Sequence, residues 1–422
     1  MSYLKGLQCK ECGTDYPADR SFVCLNCFGP LEVKYDYSKI HSAVNPSKIA
    51  GRDKNLWRYR ELLPVEGNPI TGFHSGFTPL VKADRLGAHL GIKQLYLKDD
   101  SVNHPSLSYK DRVVSVALSR GVELGYEVFS CASTGNLGNA VSAHCARTGF
   151  PCLIFIPYDI EPAKIAGSLV YKPTIVALQG NYDDVNRLCC EIGDHYGWGF
   201  VNVNLRPYYT EGAKTMGFEI AEQLGWRLPD HLILPTAGGT LLPKVAKAFQ
   251  ELKTLGWVSG DCRIYTAQAE GCAPVVRALH QNLDYINPEK PATLAKSIAI
   301  GNPADGPYVL KEIRQSGGWG EMAADSEILA TIDLLAEKEG IFTEPAGGTT
   351  LAVAIKLIRQ GRINPEDTIV VGITGNGYKT LDVAQSRSEV NAVLKPNLRI
   401  FREWYDGQQV LPKPSASVGA GS

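Results

Sequence analysis

Residues 127–157 read EVFSCASTGNLGNAVSAHCARTGFPCLIFIP, and this stretch decides the fold class. EVFSCAS is a short strand, STGN a turn, the run through Ala143 a helix and CLIFIP a second strand, which together make a βαβ unit. Working outward, the same alternation recurs. Upstream, LYLK (Leu95 to Lys98) is followed by the loop SVNHPSLSYKD and a helix from Asp111, whose Val114, Ala117, Leu118 and Val122 follow a helical period. Before these, GFTPLVKADRLGAHLG passes from a short strand into a helix that stops at Gly91. Downstream, LILP leads through a glycine-containing turn to a helix ending near Leu255, and TIVVGI precedes Thr374. Short β-branched strands alternating with helices predict an α/β fold whose parallel sheets are covered on both faces.

The 422 residues imply two or three domains. Lys plus Arg number 43 against 44 Asp plus Glu, so the chain has no field for gripping a polyanion, and nucleic acid is not expected as a partner. Apolar runs fall short of a membrane span. The opening MSYLKGLQCK has neither a secretory nor a transit pattern. Seven of the 11 cysteines are scattered, which fits a reducing cytoplasm. The other four are ordered: Cys9 and Cys12 form one CxxC pair, Cys24 and Cys27 another, with eleven residues between. That spacing lets four thiolates close a tetrahedron on a structural zinc. A redox dithiol is the rival reading, but such motifs come singly and open a helix after a strand. Unligated thiols are the remaining one.

In parallel α/β sheets ligands sit beyond the carboxyl ends of strands, so the strand-to-helix turns hold the candidate chemistry. HPSLSYKDR (104–112) puts Lys110 just before a helix, where the positive end of the macrodipole and Arg112 are expected to disfavour its ammonium and sharpen its amine. Such a lysine suits a Schiff base; an exposed lysine on a helix shoulder is the alternative. Ser133, Thr134 and Asn136 at a helix start are either plain caps or an anion cradle. In PTAGGTLL (235–242), two glycines let backbone N–H groups converge on a phosphate or merely make a tight turn. No Walker lysine follows, and the GxGxxG spacing is absent. TGNGYK (374–379) is a turn directly after a strand.

Taken in order, the S-Y-K-D-R lysine, the STGN turn, the glycine-rich loop and the late TGNG turn resemble the fold-type II pyridoxal-phosphate enzymes, and within them the threonine synthases. WRYRELLP (57–64), FTPL (77–80), EGAKT (211–215), AIGNPA (299–304), EPAGG (344–348) and the cysteine ribbon extend the resemblance over residues 1 to about 400. It implies a tryptophan synthase β-like fold of two parallel-sheet domains with an N-terminal zinc ribbon. The ribbon would span 1–33, a large domain 34–106 with 201–400, a small domain 107–200, and a disordered tail 401–422.

The resemblance also implies roles. Lys110 would hold pyridoxal 5'-phosphate as a Schiff base and shuttle protons. Asn136 would bond the cofactor's phenolic oxygen, Ser133 and Thr134 would take the substrate carboxylate, and amides of Ala237, Gly238, Gly239, Thr240 and Leu241 would cradle the phosphate. Thr374 would face the pyridine nitrogen, Arg206 would meet the substrate phosphate, and Cys9, Cys12, Cys24 and Cys27 would ligate zinc. The reaction expected of such a lyase, a cytoplasmic homodimer, turns O-phospho-L-homoserine and water into L-threonine and phosphate. The chain departs from the family pattern in its AGGTL loop, in Tyr109 where phenylalanine is usual, and in Tyr209 where arginine is often found. A cysteate synthase or a threonine/serine dehydratase-like enzyme shares the same chemistry. A zinc-ribbon interaction protein on a dead scaffold is the reading of another class.

Overall fold

The central strands are continuous apolar runs because both faces of their sheets are covered: every residue of His231–Pro235 and of Phe129–Ala132 is buried. The structure, a computed structural model, describes residues 2–133, 135–158, 162–179, 182–385 and 390–407. Residues 1–380 form one compact unit and 381–422 another.

Among the described residues the first unit contains three sheets. Strands β1 (Leu4–Cys9), β2 (Asp15–Tyr16) and β3 (Leu31–Tyr35) form the antiparallel ribbon sheet in the order β2-β1-β3. The six-stranded sheet contains β4 (Leu80–Lys82) and β5 (Gln94–Asp99), and the four-stranded one β6 (Phe129–Ala132), β7 (Cys152–Pro157), β8 (Thr174–Leu178) and β9 (Gly199–Phe200). The six-stranded sheet is completed by β10 (His231–Pro235), β11 (Arg263–Ala269), β12 (Gly320–Ala323) and β13 (Thr368–Ile373). Its order is β12-β11-β10-β13-β5-β4, and the smaller sheet runs β8-β7-β6-β9. All pairings in these two sheets are parallel except the edge strand β4, which runs antiparallel to β5, Leu80 opposite Lys98.

The helix after the lysine turn spans Lys110–Glu123, one residue earlier than the periodicity suggests. Val113, Val114, Ala117 and Leu118 are fully buried, whereas Val122 is only partly so. Each such valine or leucine contributes about 1.5–3 kcal/mol. The βαβ helix runs from Asn136 to Thr148 and ends at Gly149 with φ +77.

Two expected boundaries shift. The ribbon does not stop at residue 33, because β3 continues to Tyr35, whose buried hydroxyl donates to Glu211 Oε2 at 2.8 Å. In the second unit, Leu398–Asp406 is helical, with the Asn397 side chain capping the N–H groups of Arg399 and Ile400, so the helix enters the stretch expected to be disordered from 401. Residues 408–422 of that stretch lie outside those described. Among the described residues no helix is long and apolar enough to cross a membrane.

Candidate active site

Candidate turns follow the carboxyl ends of β5, β6, β10 and β13, and main-chain bonds lock two of them together. Tyr109 N–H donates to the Thr374 carbonyl at 3.0 Å, Asn376 N–H to that of Leu107 at 3.2 Å, and Ser108 pairs with Gly375. The lysine turn and the late TGNG turn are thus a single structural element.

Lys110 opens its helix. Its half-buried amine donates to the Tyr109 hydroxyl at 2.7 Å and the Tyr209 hydroxyl at 3.1 Å. Burial works against its charge, but the two phenol oxygens outweigh it and raise the lysine pKa. This reverses the expectation drawn from the helix dipole and Arg112. The Arg112 charge is already spent: Nε lies 2.7 Å from Asp100 Oδ2, Nη2 lies 2.8 Å from Glu219 Oε2, and all three side chains are fully buried. Asp111 instead shapes the turn, accepting from the N–H of Ser106 at 3.2 Å and of Ser108 at 3.4 Å.

Asn136 donates from Nδ2 to both oxygens of Glu344, at 3.0 and 3.1 Å. Glu344 is buried, which pushes its carboxyl pKa up, and also accepts from Ser297 Oγ at 3.2 Å. Its own N–H bonds the Gly375 carbonyl at 3.0 Å, and a Cβ on Gly375 would stand 2.5 Å from its Oε1. Lys379 reaches the Ser106 carbonyl at 2.5 Å, and burial lowers its pKa. Sequence reasoning assigned neither Glu344 nor Lys379 a role, although EPAGG and TGNGYK carry them.

The loop after β10 brings Ala237, Gly238, Gly239, Thr240 and Leu241 to the start of helix Leu241–Thr254. The first N–H groups of a helix have no carbonyl partner within it, so this end favours an anion. Gly238 faces open space, while Gly239 has φ +92 and a Cβ there would lie 2.8 Å from the Asp305 carbonyl carbon. Asp305 braces the loop: its N–H donates to the Gly238 carbonyl at 2.9 Å and its carboxylate accepts from Thr240 Oγ1 at 2.9 Å. The same carboxylate takes Arg206 Nη2 at 2.7 Å.

A family model described as pyridoxal-phosphate dependent enzyme matches residues 72–375. The threonine synthase of Methanocaldococcus jannaschii is 35% identical over 398 residues, covering 94% of this chain and 98% of that protein. This chain belongs to the threonine synthase family. The threonine synthase of Methanosarcina acetivorans is 37% identical over 400 residues, with the same coverage of 94% and 98%. The fold is shared more widely: maize serine racemase superposes with a TM-score of 0.63 at 20% identity, covering 73% of this chain and 91% of that one. O-ureido-L-serine synthase gives 0.61 at 18% identity, covering 77% and 98%.

In this member of the threonine synthase family, Lys110, Asn136 and Thr374 lie on turns joined through Glu344 and Gly375. Thr374 is buried. Ser133 is half-buried at the end of β6, its Oγ accepting from Gly135 N–H at 3.4 Å; Thr134 lies outside the described residues. Cys9, Cys12, Cys24 and Cys27 converge, all four sulfurs within 4.8 Å of one another.

Proposed function

We propose that this chain converts O-phospho-L-homoserine and water into L-threonine and phosphate, with pyridoxal 5'-phosphate held covalently by Lys110. The observation that carries this reading is the joining of the Lys110 turn to the buried Thr374 turn at strand carboxyl ends, in a chain that covers nearly all of two threonine synthases. The residues fit the cofactor: Gly238 faces open space that a side chain would fill, and the amides of Ala237 to Leu241 suit a phosphate. When bound, the cofactor supplies an electron sink for charge left on substrate carbon.

The chain's own groups do the rest. The Lys110 amine, when free of the cofactor, would take and return protons between substrate carbons, with Tyr109 and Tyr209 beside it. Asn136 would hold the cofactor's phenolic oxygen once its amide turns from Glu344, and the Thr374 hydroxyl would donate to the pyridine nitrogen. Ser133 and Thr134 take the substrate carboxylate. Arg206 serves the substrate phosphate only by exchanging Asp305 for it, since the carboxylate holds the guanidinium in the resting chain. Tyr209, a neutral group where the family often has arginine, favours a second reading, replacement on another phosphorylated amino acid such as phosphoserine. Assays of phosphate and threonine release from phosphohomoserine and phosphoserine decide between them. Phosphate without threonine from the first substrate, or turnover of phosphoserine alone, would sink the primary reading.

Gly239→Ala tests the cradle. It forces a side chain into a left-handed conformation and against the Asp305 backbone. Strain of about 1–2 kcal/mol should weaken cofactor retention about tenfold. Equilibrium dialysis against pyridoxal phosphate measures it, and unchanged affinity would move the phosphate elsewhere.

We also propose zinc on Cys9, Cys12, Cys24 and Cys27 and a homodimer working in the cytoplasm. Four converging thiols match zinc's preference for a closed sulfur tetrahedron, which leaves no open position for chemistry. Cys24→Ser should release the metal and expose the first 30 or so residues to protease, because ligation supplies much of the folding energy of so small a module. Turnover should stay within the same order of magnitude. Metal analysis, limited proteolysis and kinetics on one preparation check all three.

A further inference from the structure

Tyr209 ends the short helix Arg206–Tyr209 and is buried beside the Lys110 amine. The amine lies beyond the hydroxyl end of the ring, 3.1 Å from the oxygen and 5.8 Å from the ring centre, so the contact is a hydrogen bond and not stacking on the ring face. Its place is fixed from behind. Glu211, two residues on, is fully buried and ion-paired with Lys214 at 2.7 Å and Lys244 at 2.6 Å, and takes the Tyr35 hydroxyl at 2.8 Å. The backbone just beyond the phenol is therefore anchored to the body of the fold, and the ring itself is buried.

We propose that Tyr209 is a positioning residue for Lys110: its hydroxyl engages the lysine amine whenever that amine is not bonded to the cofactor, and so fixes where the amine stands as it exchanges protons with substrate. The inference rests on the reading that Lys110 holds pyridoxal phosphate. A hydroxyl can both donate and accept, whereas a guanidinium only donates. Tyr209 thus accepts from the ammonium and donates to the free amine, and the bond survives each proton transfer with its direction reversed. An arginine at this position would repel the ammonium. Burial pushes the Tyr209 pKa up to about 12, so the phenol stays neutral. The other titratable groups facing the amine are Tyr109, Glu344 across the site and the buried thiol of Cys131 on β6.

The test uses the full chain stripped of cofactor. Attack on the aldehyde needs the free amine, so the rate of pyridoxal phosphate capture, followed by absorbance against pH, reports on how firmly the ammonium is held. Tyr209→Phe removes one oxygen and with it one of the two acceptors of the half-buried ammonium. The lysine pKa then falls, the capture profile moves to lower pH by about half to one unit, and capture near neutrality becomes about three- to tenfold faster. In the reloaded enzyme, kcat falls about tenfold while KM stays within twofold, because the amine is less well aimed and the substrate is held elsewhere. A capture profile that superimposes on the wild type overturns the proposal even if kcat falls, since a purely structural role leaves the lysine's proton affinity alone. Borohydride reduction and peptide mapping of the wild type separate the two failures. Label on Lys110 with an unshifted profile removes only Tyr209's role; label on another lysine removes the underlying reading as well.

Discussion

Lys110→Ala should abolish turnover, lowering it by about a thousandfold or more, and with it the borohydride-reducible link between chain and cofactor. Both losses follow from one amine. The side chain is expected to carry the covalent attachment and then the proton transfers, so no second group inherits either task. The fold should survive. Among the described residues the Lys110 amine bonds the Tyr109 and Tyr209 hydroxyls, and the start of its helix is held by Asp111 on the N–H groups of Ser106 and Ser108. Alanine is also the better helix former. Visible absorbance, peptide mapping after reduction and circular dichroism together check the result. A variant that keeps a reducible cofactor link would show that the attachment lies on another residue.

The fold was legible wherever a chemical pattern is local. EVFSCASTGN and CLIFIP announce a strand, a turn and a strand because apolar runs and turn residues lie within 31 positions of each other, and β6 and β7 pair as that reading requires. The four ordered cysteines are likewise local, and their sulfurs converge. What escaped are partners far apart in the chain. Arg112 stands two residues from Lys110 and suggests an amine with weakened proton affinity. The sequence does not reveal that Asp100 and Glu219 absorb its charge, nor that Tyr209, ninety-nine positions downstream, accepts from the lysine. Arg206 reads as a free cation until Asp305 is placed beside it. Glu344 reaches Asn136 across 208 positions, and its motif gives no hint of which side chain it meets. The strand in GFTPLVK was legible, but the antiparallel direction of β4 escaped for a different reason: three residues carry no periodicity from which direction can be read.

Arg112→Met should destabilise the chain by about 3–5 kcal/mol, because it strands two buried carboxylates rather than merely removing a contact. The guanidinium bonds Asp100 and Glu219 and also reaches the hydroxyls of Thr78 and Thr215 at 3.0 Å each. Without it, Lys98, 2.7 Å from Glu219, is left as the nearby cation in this buried group, and burial already lowers its own pKa. The pH dependence should invert as well. In the wild type, Arg112 and Lys98 overcome burial and hold Glu219 down at about 2. A folded pKa below the unfolded one gives stability that is present above the ordinary carboxylate range and lost as pH falls from there toward 2. In the variant, burial dominates and the folded carboxylates bind protons more readily than the unfolded ones, so stability should rise as pH falls from 7 to 5. Urea denaturation at the two pH values measures both effects. A loss below about 1 kcal/mol, or an unchanged pH slope, would mean that water or backbone donors replace the guanidinium. Adding Glu219→Gln to Arg112→Met should recover part of the loss, since it removes one of the two stranded charges while keeping the side chain's shape.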